Sequence, residues 1–191
     1  MKDDDLPVPP DLPDRARKIK LFLMDVDGTL TYGGVCLLSL PNDGSSDVRV
    51  AEMKVFNSLD GVGLNLAHTM GIKTGFITGR RSPAVCQRAK ECHVDFVYLG
   101  QATKTEAFEE SMRKAQVNAD EVAYMGDDLP DMAVAQRVGL PVAVANAAPE
   151  LKAICRYQTK ARGGSGTARE VVELILKAQG RWEEAIPLAR A

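Results

Sequence analysis

Residues 21–31 read LFLMDVDGTLT. Four apolar residues run without alternation into two aspartates, Asp25 and Asp27, and Gly28 closes the run. With Ile19 just upstream, the stretch 19–24 (IKLFLM) fits a short strand buried on both faces. Two carboxylates at its end repel each other unless a cation or a shared proton relieves them. The pattern therefore reads as a central strand that delivers acids to an ion.

Working outward, short β-like runs alternate with helical ones. GGVCLLSL and VRVAEMKVF flank the cluster PNDGSSD, which predicts a β-hairpin over about 33–56, inserted after the first strand. DGVGLNLAHTMG predicts a helix stopped by Gly71, and KTGFIT the next strand. Ser82-Pro83 opens a helix with a cap and a proline at its first position. The strands VDFVYLG, EVAYMG and LPVAVA follow, separated by helices over TKTEAFEESMRKAQ and DMAVAQRV. TAREVVELILKAQ is amphipathic through Val171, Val172, Leu174, Ile175 and Ala178. This alternation predicts a three-layer α/β/α Rossmann-like fold with a mostly parallel central sheet. One domain over 19–180 is expected, with a flexible arm at 1–18 and a tail at 181–191.

The composition excludes several classes. With 24 Lys and Arg against 26 Asp and Glu, the net charge of −2 offers no field suited to nucleic acid. No run of about 18 apolar residues could span a bilayer. The acidic, proline-rich start MKDDDLPVPPDLPD has no apolar core of a secretory signal. Cys36, Cys86, Cys92 and Cys155 match neither zinc nor redox spacing, and read as buried free thiols in a reducing cytosol. His68 and His93 have no ligand-type neighbours in sequence and read as core or surface residues, and Trp182 as a packing anchor.

In parallel sheets, sites lie beyond the carboxyl ends of strands. Four such ends here read DVDGT (25–29), TGR (78–80), QATK (101–104) and GDD (126–128). Aspartates from two ends suit a hard divalent ion with oxygen ligands. Lys104 and Arg80 add positive charge, and Thr78 a hydroxyl. This set suits a phosphoryl group, whose charge the ion and lysine would offset. The GGSG stretch (163–166) precedes a helix, where it could cradle phosphate or cap that helix.

The motifs DxDGT, Thr78, Lys104 and GDDLPD (126–131), in this order, resemble those of the haloacid dehalogenase-like superfamily. The stretches at 54–64, 76–82, 98–104, 122–131 and 163–185 are similar to a capless group within it, the 3-deoxy-D-manno-octulosonate 8-phosphate (KDO 8-phosphate) phosphatases. The similarity covers roughly residues 19–185. It implies a Mg²⁺-dependent phosphoric monoester hydrolase of lipopolysaccharide precursor synthesis. It also implies a cytoplasmic homotetramer that acts on a small phosphorylated sugar acid, with the hairpin assisting assembly and a neighbouring subunit closing the site. Neither nucleic acid nor membrane is an expected partner.

The resemblance also implies roles. Asp25 would be the nucleophile and form an aspartyl-phosphate, with Asp27 as acid and then base. The Asp25 carboxylate, the Asp27 main-chain carbonyl and Asp127 would hold the metal. Thr78 and Lys104 would bind phosphoryl oxygens, and Asp128 and Asp131 would support the metal's waters or the lysine. Asn57, Ser58, Leu59, Asp60, Gly61, Arg80 and Arg88 match the sugar-contacting positions, an arginine suiting the substrate carboxylate. Two positions depart from the pattern: Asn65 stands where an arginine is usual, and Tyr32 where an aspartate is. These admit a related nonulosonate 9-phosphate, or another small phosphate ester, as the substrate. A catalytically silent assembly module is the reading from a different class.

Overall fold

In a computed structural model of the chain, residues 9–40 and 49–189 are described. Among them a six-stranded, all-parallel sheet forms from β1 (Leu21–Met24), β4 (Lys73–Ile77), β5 (Phe96–Tyr98), β6 (Val122–Gly126), β7 (Leu140–Ala143) and β8 (Tyr157–Gln158). Its order is β5-β4-β1-β6-β7-β8. The chain therefore leaves β1 towards one edge and returns to β1's other side to build the second half. That reversal beside β1 is the point where open α/β sheets place their ligands. Every residue of β1, β6 and β7 is buried, so these strands read as unbroken apolar runs.

Helices cover both faces. α2 (Ser58–Thr69) packs on α7 (Thr167–Ala178), joined by α1 (Leu12–Arg17) and α8 (Trp182–Leu188). α4 (Thr105–Ala115) packs with α5 (Met132–Ala135), and α5 with α6 (Pro149–Ile154). α3 (Pro83–Glu91) starts at Ser82, with Pro83 in its first turn as the sequence predicts. Gly71 stops α2 at φ +74, a conformation costly for any side chain. The aromatic centre is Phe22, Phe76, Phe108 and Tyr124, all fully buried. Cutting Phe22 to alanine would cost about 3–5 kcal/mol.

Part of the expected arm is structure. Leu12 and Ala16, one turn apart, bury one face of α1, and the Arg15 guanidinium donates to the Gly139 carbonyl at 2.7 Å. The Pro-rich composition hides this i, i+4 pair. Residues 1–8 lie outside the described residues. The expected tail is α8 over most of its length, with Ala185 buried. Trp182 anchors it, its ring lying 5.2 Å from the Arg169 guanidinium. α6 and β8, too short for a periodicity, were not expected.

The hairpin is present as β2 (Cys36–Leu40) paired antiparallel with β3 (Arg49–Met53). Its turn, the PNDGSSD cluster, falls outside the described residues. The ribbon lies apart from the main sheet and exposes apolar side chains on both faces. Leu37 and Val50 lie on one, Leu38, Leu40 and Met53 on the other.

Candidate active site

The register shows why three polar residues meet. Met24 aligns with Phe76 of β4 and with Met125 of β6. One residue further on, β1 ends in Asp25, beside the ends that carry Thr78 and Asp127. A cleft of about 380 Å³ opens there, lined among others by Asp25, Asp27, Thr78, Arg80, Lys104, Asp127, Asp128 and Asp131. All four strand ends singled out in the sequence therefore converge on one place.

Lys104 begins α4 and is buried between two acids. Its ammonium pairs with Asp25 Oδ1 and with Asp131 Oδ1, the latter at 2.6 Å. Asp131 is fully engaged. Oδ1 also accepts from the Tyr124 hydroxyl at 2.6 Å, and Oδ2 accepts the Asp127 and Asp128 main-chain N–H groups at 2.9 and 3.2 Å. Burial and Asp131 raise the Tyr124 hydroxyl well above its usual pKa, so it remains a donor. Asp127 Oδ1 accepts from Thr29 Oγ1 at 3.0 Å. Gly28, at φ +93, has no room for a Cβ against the Asp127 carboxylate. The glycine and threonine of DxDGT thus shape the loop around Asp127. Asp128 caps the short helical turn Leu129–Asp131 through Leu129 N–H at 2.8 Å and is exposed at the cleft.

The electrostatics favour a cation beside these carboxylates. Burial, then the Asp131 and Asp127 carboxylates, push Asp25 up to about 7 against the pull of Lys104. Burial and Asp131 push Asp127 up to about 6. Burial alone would lower the Lys104 ammonium, but Asp25 and Asp131 outweigh it and raise it. Carboxylate oxygens of Asp25, Asp127 and Asp131 lie within 4.8 Å of one another. With Asp131 committed to four donors, the carboxylates of Asp25 and Asp127 are the ones available to an ion. A hard dication with oxygen ligands fits this donor set.

Most of the expected sugar-contacting residues are not brought to the cleft. Asn57 caps α2, accepting from Leu59 N–H at 2.9 Å and donating to the Gly164 carbonyl at 3.2 Å. Asp60 is buried against the start of α7, where it accepts from Ala168 N–H at 2.8 Å. Gly61 lies under Arg88, which donates to the Asn57 carbonyl at 2.9 Å. Ser58 and Leu59 are exposed. Only Arg80 lines the cleft, gripped by Glu52 Oε1 at 2.7 and 3.0 Å. Asn65 faces elsewhere, its Oδ1 2.9 Å from His93 Nδ1, and the His93 ring stacks on His68. Asn65 is not among the residues that line the cleft. The GGSG loop braces the first motif, since Cβ atoms on Gly163 or Gly164 would collide with the main chain of Gly28 or of Thr31–Tyr32.

The sequence reading missed Glu52 and Lys54. Lys54 is ion-paired with Asp27 Oδ1 and lies 3.4 Å from Glu52 Oε1. The available signal was two opposite charges two residues apart on one side of a mostly apolar ribbon.

Fold and cleft together define a haloacid dehalogenase-like hydrolase, and the family model of that description matches residues 81–171. The chain is 40% identical over 179 residues to the KDO 8-phosphate phosphatase KdsC of Escherichia coli K12, covering 94% of this chain and 90% of that protein. The crystal structure of the Yersinia pestis KDO 8-phosphate phosphatase superposes with a TM-score of 0.82 at 39% identity, over 91% of this chain and 89% of that one. The Moraxella catarrhalis phosphatase, in complex with magnesium, phosphate and KDO, gives a TM-score of 0.82 at 36% identity, over 93% and 97%. The chain belongs to the KDO 8-phosphate phosphatase family.

Proposed function

We propose that this protein is a Mg²⁺-dependent phosphatase that cleaves the phosphate monoester of a sugar acid, with KDO 8-phosphate as the substrate. The observation that carries this reading is the convergence of Asp25, Asp27, Thr78, Lys104 and Asp127 at the strand ends beside β1. Lys104 occupies Asp25 Oδ1, leaving Oδ2 to attack phosphorus. The new P–O bond forms on Asp25 as the bond to the sugar oxygen breaks, and Asp27 gives that oxygen its proton. Asp27 then takes a proton from water, which attacks the aspartyl-phosphate and releases phosphate. Thr78 and Lys104 hold the phosphoryl oxygens. The Asp25 carboxylate, the Asp27 carbonyl and Asp127 would hold the ion, which supplies charge neutralisation at the phosphoryl group. Asp131 sets the Lys104 ammonium, and Asp128 stands ready for the ion's waters. Arg80 at the rim suits the substrate carboxylate.

The exposed ribbon supports assembly with further copies. A lone two-stranded hairpin is marginal in water, and its apolar faces need cover. We read the assembly as a homotetramer in which a neighbour closes the cleft, bringing a copy within reach of exposed Ser58 and Leu59. The four thiols are free, which agrees with a reducing cytoplasmic setting, though of the four expected to be buried only Cys92 is, and Cys36, Cys86 and Cys155 are half-buried. The intact acid set argues against a silent module.

Phosphate release from KDO 8-phosphate, a nonulosonate 9-phosphate and simple alkyl phosphates, with Mg²⁺ or with chelator, tests the reading. It expects Mg²⁺-dependent turnover with KDO 8-phosphate preferred. Strong preference for an unrelated ester, without turnover of KDO 8-phosphate, would refute it.

A further inference from the structure

We propose that Lys54, carried into the cleft by the hairpin, is a positioning residue that aims the Asp27 carboxyl at the leaving-group oxygen. The proposal rests on the phosphatase reading above and deepens it.

Lys54 follows β3 by one residue, and only 3% of its side chain is exposed. Lysine is almost never buried unless paired. Its ammonium is paired on one side with Asp27 Oδ1 and on the other with Glu52 at 3.4 Å. Glu52 in turn grips Arg80. Charges therefore alternate along Asp27, Lys54, Glu52 and Arg80, from the reacting centre to the rim. Glu52 and Lys54 follow Val50 at every second residue, so the ribbon face that carries Val50 turns its charged end to the cleft, and Met53 lies on the opposite face.

The need for such a group follows from aspartate's own freedom. Its terminal torsion has a broad, roughly two-fold profile, so the side chain alone does not fix the carboxyl plane. The other hold on Asp27 is Thr78 Oγ1, which donates to Oδ2 at a long 3.4 Å. With Oδ1 tied to Lys54, Oδ2 is left on the Thr78 side, where the phosphoryl group sits in the proposed mechanism. A proton donor works only within hydrogen-bond reach of the ester oxygen, and small misplacements cost large factors.

The test compares two esters in single-turnover kinetics with Mg²⁺. KDO 8-phosphate has a poor leaving group that needs the proton, whereas p-nitrophenyl phosphate has one that departs without it. Lys54→Met is expected to slow the first ester by about 10–100-fold and the second by less than about threefold, with KM little changed. Lys54→Arg, which keeps a cation, is expected to recover most of the loss. Equal losses on both esters, or none, would overturn the proposal. Should Lys54→Met show no cooperative melting transition, Lys54→Gln is read instead. A loss confined to KDO 8-phosphate then supports the proposal, and equal or absent losses refute it. Asp27→Asn runs in parallel. If it shows the ester-dependent loss and no Lys54 variant does, only the positioning role falls. If Asp27→Asn itself fails to distinguish the esters, the role of Asp27, and the proposal with it, falls.

Discussion

The end of β1 and the β2–β3 ribbon invert the usual rule of burial. At the first, Asp25, Lys104 and Asp131 are ionisable groups with little exposure to water. At the second, Leu37, Leu38, Leu40 and Val50 are apolar groups left in it. Each is costly alone, since buried charge needs compensation and apolar ribbon needs cover. On the proposed reading the first would take a cation and a phosphoryl group, and the second another copy of the chain. Lys54 and Glu52 join the two, because the strand that faces the expected neighbour also reaches Asp27 and Arg80.

The largest effect expected is at the buried end of this contrast. Asp25→Asn would remove the proposed nucleophile and should lower turnover by on the order of 10⁴-fold or more. Its melting temperature should hold within a few degrees, because one of several crowded carboxylates is gone. Turnover near the parent's would break the account of the cleft. Lys104→Met should lower turnover by about 10²–10³-fold. Unlike the first variant it should also destabilise the metal-free protein, by about 3–5 kcal/mol, since Asp25 and Asp131 lose their shared cation. Denaturant unfolding beside phosphate release separates the two cases.

The exposed end answers to a different measurement. Leu37→Asp should shift the light-scattering mass towards smaller species and lower activity several-fold, while the subunit's fold is little affected. An unchanged mass would mean that this face is not part of a contact. The most gradual effect expected is in pH. The raised values of Asp25 and Asp127, about 7 and about 6 against an ordinary 3.8, mean that the folded state holds protons the unfolded chain has lost. Stability of the metal-free protein should therefore fall as pH rises from about 4 to 7, by up to about 1.4 kcal/mol per pH unit per group. Mg²⁺ binds the deprotonated form, so its gain in melting temperature should be largest above pH 7 and shrink below pH 6. A gain independent of pH would contradict the assignment of Asp25 and Asp127 to the ion.

The strand ends were legible because a buried strand has a local signature. LFLM, VAYMG and LPVA are unbroken apolar runs, and the polar residues that follow the first two stand out against them. Asp60 was not legible, since what buries it is the start of α7, with Ala168 N–H 108 positions along the chain. Neither was Lys54, since nothing in VRVAEMKVF says that its ribbon folds back over the DxDGT loop. α1 was hidden by the proline and acid content around Leu12 and Ala16. Local pattern reveals elements and their ends; which side chains meet across elements is a tertiary fact.

The central claim is that one dication draws Asp25 and Asp127 together where phosphorus is attacked. A crystal structure with Mg²⁺ and tetrafluoroaluminate tests it most directly. The account predicts one ion bonded to oxygens of Asp25 and Asp127 at about 2.0–2.1 Å, with the aluminium in line with Asp25 Oδ2 and its fluorides beside Thr78 and Lys104. An ion bound away from these aspartates, or the aluminate seated elsewhere with Asp25 uninvolved, would contradict it.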